Sequence, residues 1–142
     1  DAIVGPSTID ANKCISYLTI ELKEDETIPE HLQPKMGNWI FGCDVCQDVC
    51  PFNRKIPETK HSEFRRESGV GPILDLNELL TMKTDEEFRE KFSGTPLLRA
   101  KRRGLRRSAR IALRNSEENS RKVARSPYES ESKEMAPLSP TR

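Results

Sequence analysis

Apolar residues recur at helical spacing near the start of the chain. Cys14, Leu18 and Leu22 follow one another at i, i+4 and i+8, a spacing that places them on one face of a helix. Asp10 stands just before this run and is a typical N-cap residue. The pattern predicts a helix over residues 11–22 with one cysteine in its first turn.

A capping box marks a helix in the second half of the chain. Thr84 and Glu87 have the N-cap and N3 spacing, and Phe88 and Phe92 follow at i, i+4, a sequence typical of a helix N-terminus. Gly94 is expected to end this helix. A shorter leucine-rich helix is predicted just upstream of it.

The longest predicted helix opens at Pro96 and reaches about Asn115, with an apolar stripe made of Leu98, Leu105, Ala109 and Ala112. Beyond this helix the chain is almost without large apolar residues, a composition typical of disorder. We therefore predict a mainly α fold in three parts: a cysteine-containing region at 1–60, a helical region at 61–115 and a disordered tail at 116–142.

Composition limits the core that this chain can form. Apolar residues make up 34% of its 142 residues, charged residues 33%, and there are ten prolines. Part of the stability is therefore expected from cofactors or a neighbouring domain. No run is long enough for a membrane span, and the start does not resemble a signal peptide, so we expect a cytoplasmic monomer without membrane contact. The chain opens with Asp1, and we interpret it as part of a longer protein.

The charge is distributed unevenly along the chain. Residues 1–94 hold 11 basic and 18 acidic residues, a net charge of −7, whereas residues 95–142 hold 13 basic and 5 acidic residues, a net charge of +8. A polyanionic partner is therefore expected to meet the second part.

Three cysteines lie close together in the run GCDVCQDVCP. Cys43, Cys46 and Cys50 form C-x2-C-x3-C, followed by Pro51, which is the closing part of the bacterial ferredoxin signature, whose last cysteine ligates the other cluster. The first cysteine of that signature is missing from its usual place, and Cys14 is the other cysteine of the chain. Four cysteines without secretory features favour metal ligation in a reducing compartment. Zinc is the competing interpretation, although structural zinc usually takes two C-x2-C pairs.

The segments DANKCISYLTIEL, IPEHLQPKMGNWIFGCDVCQDVCPFN and FSGTPLLRAKRRGLRRSARIAL resemble the C-terminal part of epoxyqueuosine reductase. That family consists of cobalamin-dependent tRNA-modification enzymes with two [4Fe-4S] clusters. The resemblance covers about residues 1–115. It implies a ferredoxin-like cluster region followed by the start of a HEAT-like helical layer.

The resemblance also implies roles for the four cysteines. Cys14, Cys43 and Cys46 bind one cluster together with a fourth cysteine from an upstream motif that this sequence lacks. Cys50 completes the other cluster, whose remaining ligands lie in that same motif. The clusters pass electrons from a low-potential donor to cobalamin, which reduces epoxyqueuosine to queuosine in tRNA. The cobalamin domain and any catalytic acid are also missing, so no catalytic residue is assigned and the chain is expected to be an incomplete catalyst.

A run of eight basic residues without an acid lies in the last predicted helix: Arg99, Lys101, Arg102, Arg103, Arg106, Arg107, Arg110 and Arg114. Such a helix can neutralise phosphates, and the resemblance makes tRNA the expected partner. We take Arg102, Arg103, Arg106 and Arg107 as the candidate RNA contacts. The alternative is a solvated face whose long side chains cover the apolar stripe, and some of these cations can instead pair with the acidic first part.

Two other classes of function fit the same residues. One is a stand-alone iron–sulfur electron-transfer protein or subunit without any need for tRNA. The other is a zinc-stabilised RNA-binding module built on the basic helix. Trp39 and Phe41 are expected to pack in the core beside the cysteines, while His31 and His61 lie in polar loops and are not expected to be ligands.

Overall fold

A computed structural model of the chain describes residues 2–57, 59–64, 70–71 and 73–124. The regular elements are β1 (Ile3–Gly5), β2 (Thr8–Ile9), α1 (Val45–Asp48), α2 (Leu76–Thr81), α3 (Asp85–Phe92) and α4 (Lys101–Ala124). Single 3-10 turns lie at Ala11–Lys13, Gln33–Met36, Pro51–Asn53, Ser62–Phe64 and Pro96–Ala100, and a π-helix lies at Tyr17–Glu21. The predicted mainly α fold is confirmed at this level. No helix within these ranges is long and apolar enough to cross a membrane.

The chain begins with a small hairpin in which β1 and β2 pair antiparallel, with Ile3 opposite Ile9. Helical structure follows at once, because the Asp10 side chain accepts a hydrogen bond from the Asn12 amide. The N-cap prediction for Asp10 is confirmed.

The predicted continuous helix over residues 11–22 is interrupted at Cys14. The Cys14 amide closes the preceding 3-10 turn on the Ala11 carbonyl, and its own ψ of 124° is extended. Its carbonyl then accepts from the Leu18 amide at 3.0 Å and begins a new helical turn that widens into the π-helix. Cys14 therefore lies at the joint between two helical segments rather than inside a helix.

Two apolar clusters form the interior. The first, which we call the helical core, contains Leu79, Met82, Phe88, Phe92, Leu97, Leu105 and Ala109. The second, the cysteine-side core, contains Leu18, Ile28, Leu32, Met36 and Ile111. Helix α4 contributes to both, so it is the element that joins the two halves of the fold.

The caps of the short helices agree with the sequence. Asp75 caps α2 through the Asn77 amide, and Thr84 and Glu87 form the predicted capping box of α3. Phe88 and Phe92 pack with ring centroids 5.0 Å apart, and both are buried.

Two predictions for the last helix are wrong. Leu98 was expected in the apolar stripe but is 37% exposed, because residues 96–100 form a 3-10 turn that ends at Lys101 with a φ of +55°. That change of direction puts Leu98 out of phase with Leu105, Ala109 and Ala112, which are all buried. Helix α4 also continues past Asn115 to Ala124, so the predicted disorder fails for residues 116–124, while residues 125–142 lie outside the described ranges.

Candidate functional site

The four cysteines occupy two segments of the chain, and none of them forms a disulfide. Cys14, Cys43 and Cys50 are partly buried, whereas Cys46 lies on α1 and is exposed. They are therefore available as thiol ligands, and three of them are shielded from water to some degree.

Short turns hold the C-x2-C-x3-C segment. The Asp44 carbonyl accepts from the Gln47 and Asp48 amides at 2.8 Å and starts α1. The Cys50 amide then donates to the Gln47 carbonyl at 3.2 Å, and the Asn53 side chain returns to the Gln47 carbonyl and side-chain oxygen at 3.1 and 2.8 Å. These bonds keep the second and third cysteines of the motif on one compact set of turns.

One residue, Val49, separates Cys50 from the end of α1. Cys50 caps the 3-10 turn Pro51–Asn53 with an extended ψ of 123°, and its carbonyl accepts from the Asn53 amide. Pro51 suits this first position because its fixed φ fits a helical turn and its missing N–H costs no bond there.

Hydrogen bonds also join the Cys14 segment to the Cys43 segment. The Ser16 hydroxyl donates to the Cys43 carbonyl at 3.3 Å, and the Thr19 hydroxyl accepts from the Gly42 amide at 3.0 Å. Thr19 is 1% exposed. Neither Ser16 nor Thr19 stands out in the sequence; the one available signal is a pair of hydroxyl residues at i, i+3 directly after an isolated cysteine.

The chemistry of the donor set fits an iron–sulfur cluster. Three of the four thiols, those of Cys43, Cys46 and Cys50, have ferredoxin-type spacing, and thiolates are the ligands that such clusters use. Among the described residues, no group of three His, Cys, Asp or Glu side chains is arranged to hold a single metal ion.

The apolar residues just before the cysteines pack partly as expected. Ile40 and Phe41 contact the helical core, while Trp39 remains 39% exposed. This stretch therefore links the cysteine motif to the helical core through two side chains.

Arg107 crosses from α4 to the segment that follows Cys14. Its guanidinium donates to four backbone carbonyls, those of Lys23 and Glu26 at 2.7 Å, Leu18 at 3.1 Å and Leu22 at 3.4 Å. Burial lowers the pKa of Arg107, and the nearby Glu26 partly opposes that shift. The carbonyls belong to the end of the π-helix and the loop after it, so Arg107 satisfies groups that a helix C-terminus leaves unpaired.

Two further arginines of the predicted RNA set bind within the chain. The Arg102 Nε donates to Asp85 Oδ1 at 2.5 Å, and Arg106 donates to the Leu80 carbonyl at 3.0 Å. The bond from Arg102 lowers the pKa of the Asp85 carboxyl. Both side chains are only partly accessible, and each ties α4 to the helices before it.

Of the other cations of α4 and the turn before it, some form ion pairs and some are exposed to solvent. Arg99 pairs with Glu21 at 2.7 Å and Lys101 with Glu24 at 3.4 Å, so part of the basic run neutralises the acidic first part of the chain. Arg103 and Arg110 are exposed. RNA contact stays a prediction for all four candidate arginines, and Arg103 is the one of them whose side chain is exposed to solvent.

Comparisons with known proteins agree with this geometry. Residues 1–53 match the family described as a 4Fe-4S double cluster binding domain. The chain is 45% identical over 117 residues to an epoxyqueuosine reductase of Shewanella oneidensis, covering 81% of this chain and 28% of that protein. It is 42% identical over 115 residues to the epoxyqueuosine reductase of Escherichia coli strain K12, covering 81% of this chain and 29% of that protein.

Solved structures give the same result. A crystal structure of epoxyqueuosine reductase with an epoxyqueuosine-modified tRNA-Tyr stem loop superposes with a TM-score of 0.71 at 32% identity, covering 84% of this chain and 30% of that one. The Bacillus subtilis enzyme superposes with a TM-score of 0.65 at 28% identity, covering 89% of this chain and 34% of that one. The chain thus spans about a third of the length of these relatives. Over most of its length the chain is therefore similar to part of the epoxyqueuosine reductases, and its residues 1–53 match a 4Fe-4S double cluster binding domain.

Proposed function

We propose that this chain provides cluster ligands to an epoxyqueuosine reductase and relays electrons for the reduction of epoxyqueuosine to queuosine in tRNA. The observation that carries the proposal is a set of four free thiols, three of them in ferredoxin-type spacing, inside the stretch that matches a double-cluster family. The reduction consumes two electrons and two protons and releases the epoxide oxygen as water. A low-potential donor supplies the electrons, and the protein acts as a monomer in the cytoplasm.

The ligand assignment follows the two segments of the site. Cys14, Cys43 and Cys46 hold one [4Fe-4S] cluster, and Cys50 is a ligand of the second. The hydrogen bond from Ser16 to the Cys43 carbonyl supports the first set, since it brings the isolated cysteine's segment to the motif. The change of direction at Cys50 and Pro51 supports the separate role of the last cysteine.

Cobalamin, when bound to the complete enzyme, supplies the reduced corrinoid chemistry that removes the epoxide oxygen. The residues of this chain carry electrons toward it and keep water from the clusters, and no proton donor is assigned to them. Residues 1–60 form the cluster region in this proposal, and helices α2 to α4 begin a HEAT-like layer behind it.

Contact with tRNA is assigned to the exposed side of α4. The neighbour solved with a tRNA stem loop and the exposure of Arg103 and Arg110 support this assignment. Three of the four candidate arginines have intramolecular partners: Arg102, Arg106 and Arg107. In this proposal they hold α4 in the position from which it meets the RNA, in addition to any phosphate that they contact directly.

The cluster assignment is tested by anaerobic reconstitution of the chain with iron, sulfide and an added thiol that completes the ligand set. We expect iron and sulfide in equal amounts and a broad visible absorbance band. Cys43→Ser is expected to abolish the band, whereas Cys50→Ser keeps the cluster held by Cys14, Cys43 and Cys46. Val49→Ala, an exposed neighbour, serves as the control. Stoichiometric zinc in a colourless protein contradicts the assignment.

The RNA assignment is tested by titrating the reconstituted chain with a tRNA anticodon stem loop at several salt concentrations. Binding that weakens with salt, and a shallower salt dependence in the double variant Arg103→Ala/Arg110→Ala, are expected from the loss of phosphate contacts. The control is Lys83→Ala, which removes a cation outside α4. A cluster-bearing chain without salt-dependent RNA binding favours the stand-alone electron-transfer function instead.

A further inference from the structure

The segments that carry Cys14 and Cys43 are joined by two hydroxyl side chains whose partners lie on either side of the Gly42–Cys43 peptide. Ser16 Oγ donates to the Cys43 carbonyl at 3.3 Å, and Thr19 Oγ1 accepts from the Gly42 amide at 3.0 Å. Both hydroxyls belong to the helical turn that begins at the Cys14 carbonyl. The backbone just before and at Cys43 is thus fixed relative to the turn that follows Cys14.

Thr19 has the features of a buried polar group with a defined task. It is 1% exposed, and its hydroxyl also donates to the Ile15 carbonyl at 2.8 Å. The hydroxyl proton of Thr19 is therefore used within its own helix, and the hydroxyl oxygen accepts the hydrogen bond from the Gly42 amide. The Gly42 amide is partly buried, and an amide shielded from water without an acceptor is costly, so this hydroxyl favours one arrangement of the two segments.

The conformation of Gly42 explains why an outside acceptor is needed. Its φ is +71°, a left-handed conformation that directs the chain into the cysteine motif and takes its amide out of any regular ladder. The nearest atom to a Cβ built on Gly42 is Ile20 Cδ1 at 3.8 Å. Gly42 therefore lies directly against the helix that carries Thr19.

The helical segment that contains Thr19 is a π-helix rather than an α-helix. Residues 17–21 form a π-helix, in which the Leu22 amide donates to the Tyr17 carbonyl. Single-turn π segments are rare and are frequently found at functional sites. Here the widened turn contains Thr19.

We propose that Thr19, assisted by Ser16, is a positioning residue for the cluster held by Cys14, Cys43 and Cys46. By fixing the Gly42–Cys43 peptide against the Cys14 turn, it sets the separation of the two thiolates that come from different segments. This inference rests on the ligand assignment proposed above. Residues that orient the ligands of a metal centre govern its affinity and its electronic properties.

The test uses the full chain and three variants at two threonines. Thr19→Val keeps the shape of the side chain and removes the hydroxyl, Thr19→Ser keeps the hydroxyl, and Thr81→Val makes the same chemical change at an exposed threonine of α2. Each is reconstituted anaerobically with iron, sulfide and an added thiol. Iron content, the affinity for the cluster, the EPR spectrum of the reduced cluster and its reduction potential are then measured.

Thr19→Val is expected to lower cluster affinity by at least about tenfold and to change the EPR spectrum and the potential. Thr19→Ser and Thr81→Val are expected to match the wild type. Hydrogen exchange of the Gly42 amide in the protein without iron gives an independent readout, and it should be roughly tenfold faster in Thr19→Val.

The other outcomes separate the positioning role of Thr19 from the ligand assignment on which it rests. A Thr19→Val chain with wild-type affinity, spectrum and potential overturns the positioning role, and so does a Thr19→Ser chain that fails as badly as Thr19→Val. A wild-type chain that takes up no iron overturns the ligand assignment and the inference that rests on it. Unchanged exchange at Gly42 in Thr19→Val shows that the hydrogen bond itself does not form.

Discussion

The two halves of this molecule are held together by different kinds of interaction. In the helical region, residues 73–124, short capped helices bury a continuous core that includes Phe92 and Leu105, both 0% exposed. In the cysteine region, residues 2–57, the regular elements are at most five residues long, and large apolar side chains such as Phe52 remain exposed. The first has a core of its own, whereas the smaller cysteine-side core of the second is completed by Ile111 of α4. The second region also depends on hydrogen bonds and, in our proposal, on its iron–sulfur clusters.

Because of this difference, the two regions are expected to be destabilised by different kinds of substitution. A packed core is sensitive to lost volume, while a region built from turns is sensitive to lost backbone bonds and strained dihedral angles. Substitutions chosen in matched pairs can therefore separate the two kinds of stability, beginning with the largest effect.

Replacing the same residue type in both regions gives the widest contrast. Phe92→Ala removes a fully buried ring from the helical core and is expected to cost about 3 to 5 kcal/mol of unfolding free energy. Phe52→Ala, at an 89% exposed position, is expected to change it by less than about 0.5 kcal/mol. Denaturant unfolding followed by circular dichroism measures both. Equal effects would mean that the Phe52 ring is buried in solution.

Removing the contact between the regions is expected to have the next largest effect. Arg107→Met keeps much of the side-chain volume but leaves the carbonyls after the π-helix without their donor, at a cost of about 2 kcal/mol. Limited trypsin cleavage after Lys23 should become faster as the loop is released. The control is Arg110→Met, which removes an exposed cation from the same helix. Similar stability and cleavage in both variants would show that Arg107 does not join the regions.

Strain in the turn before the cysteines comes third. Gly42→Ala forces a side chain into a left-handed conformation and is expected to cost about 1 to 2 kcal/mol. Gly5→Ala is the matched change, since Gly5 has no positive φ and no atom within 4 Å of an added Cβ. Thermal unfolding of the two variants measures the difference. A Gly42→Ala chain as stable as Gly5→Ala would contradict the left-handed turn.

The smallest effect concerns acid stability of the helical region. Arg102 lowers the pKa of Asp85 below its ordinary value of 3.8, so the folded state favours the ionised carboxyl. The resulting stability is present above pH 3.8 and is lost as pH falls through the lowered pKa of the folded state. Asp85→Asn should therefore show a weaker loss of stability between about pH 5 and pH 2, with Glu86→Gln as the control. An unchanged pH profile in Asp85→Asn would rule out this contribution.

Local features of the fold were predictable from the sequence because neighbouring residues determine them. The capping box at Thr84 and Glu87 and the N-cap at Asp10 involve partners two or three residues away. The contact between the tilted rings of Phe88 and Phe92 follows from helical periodicity in the same way. Cysteine spacing likewise predicted an iron–sulfur region, in agreement with the match of residues 1–53 to a 4Fe-4S double cluster family, while the role of each cysteine stays a prediction.

Features that depend on distant partners could not be predicted. Asn115 is buried because its side chain donates to the carbonyls of Gln33 and Gly37, and Ile111 is buried because it joins the cysteine-side core. The spacing of apolar residues in α4 does not reveal that the helix packs against both the helical core and the cysteine-side core. The RNA candidates Arg106 and Arg107 carry the same charge as Arg103, and only the tertiary fold distinguishes the bound side chains from the open one.

The position of α4 in the chain has a consequence for how the protein is made. Arg107 binds the Leu18 carbonyl across a sequence separation of 89 residues, so the Cys14 segment leaves the ribosome long before its partner helix exists. At about 5 to 20 residues per second, that interval is roughly 5 to 18 seconds. During this time the cysteine segments have neither α4 nor the packing of Ile111 to hold them. We expect the thiols to be accessible to cluster-assembly factors in that interval and to become partly enclosed only when synthesis has passed α4.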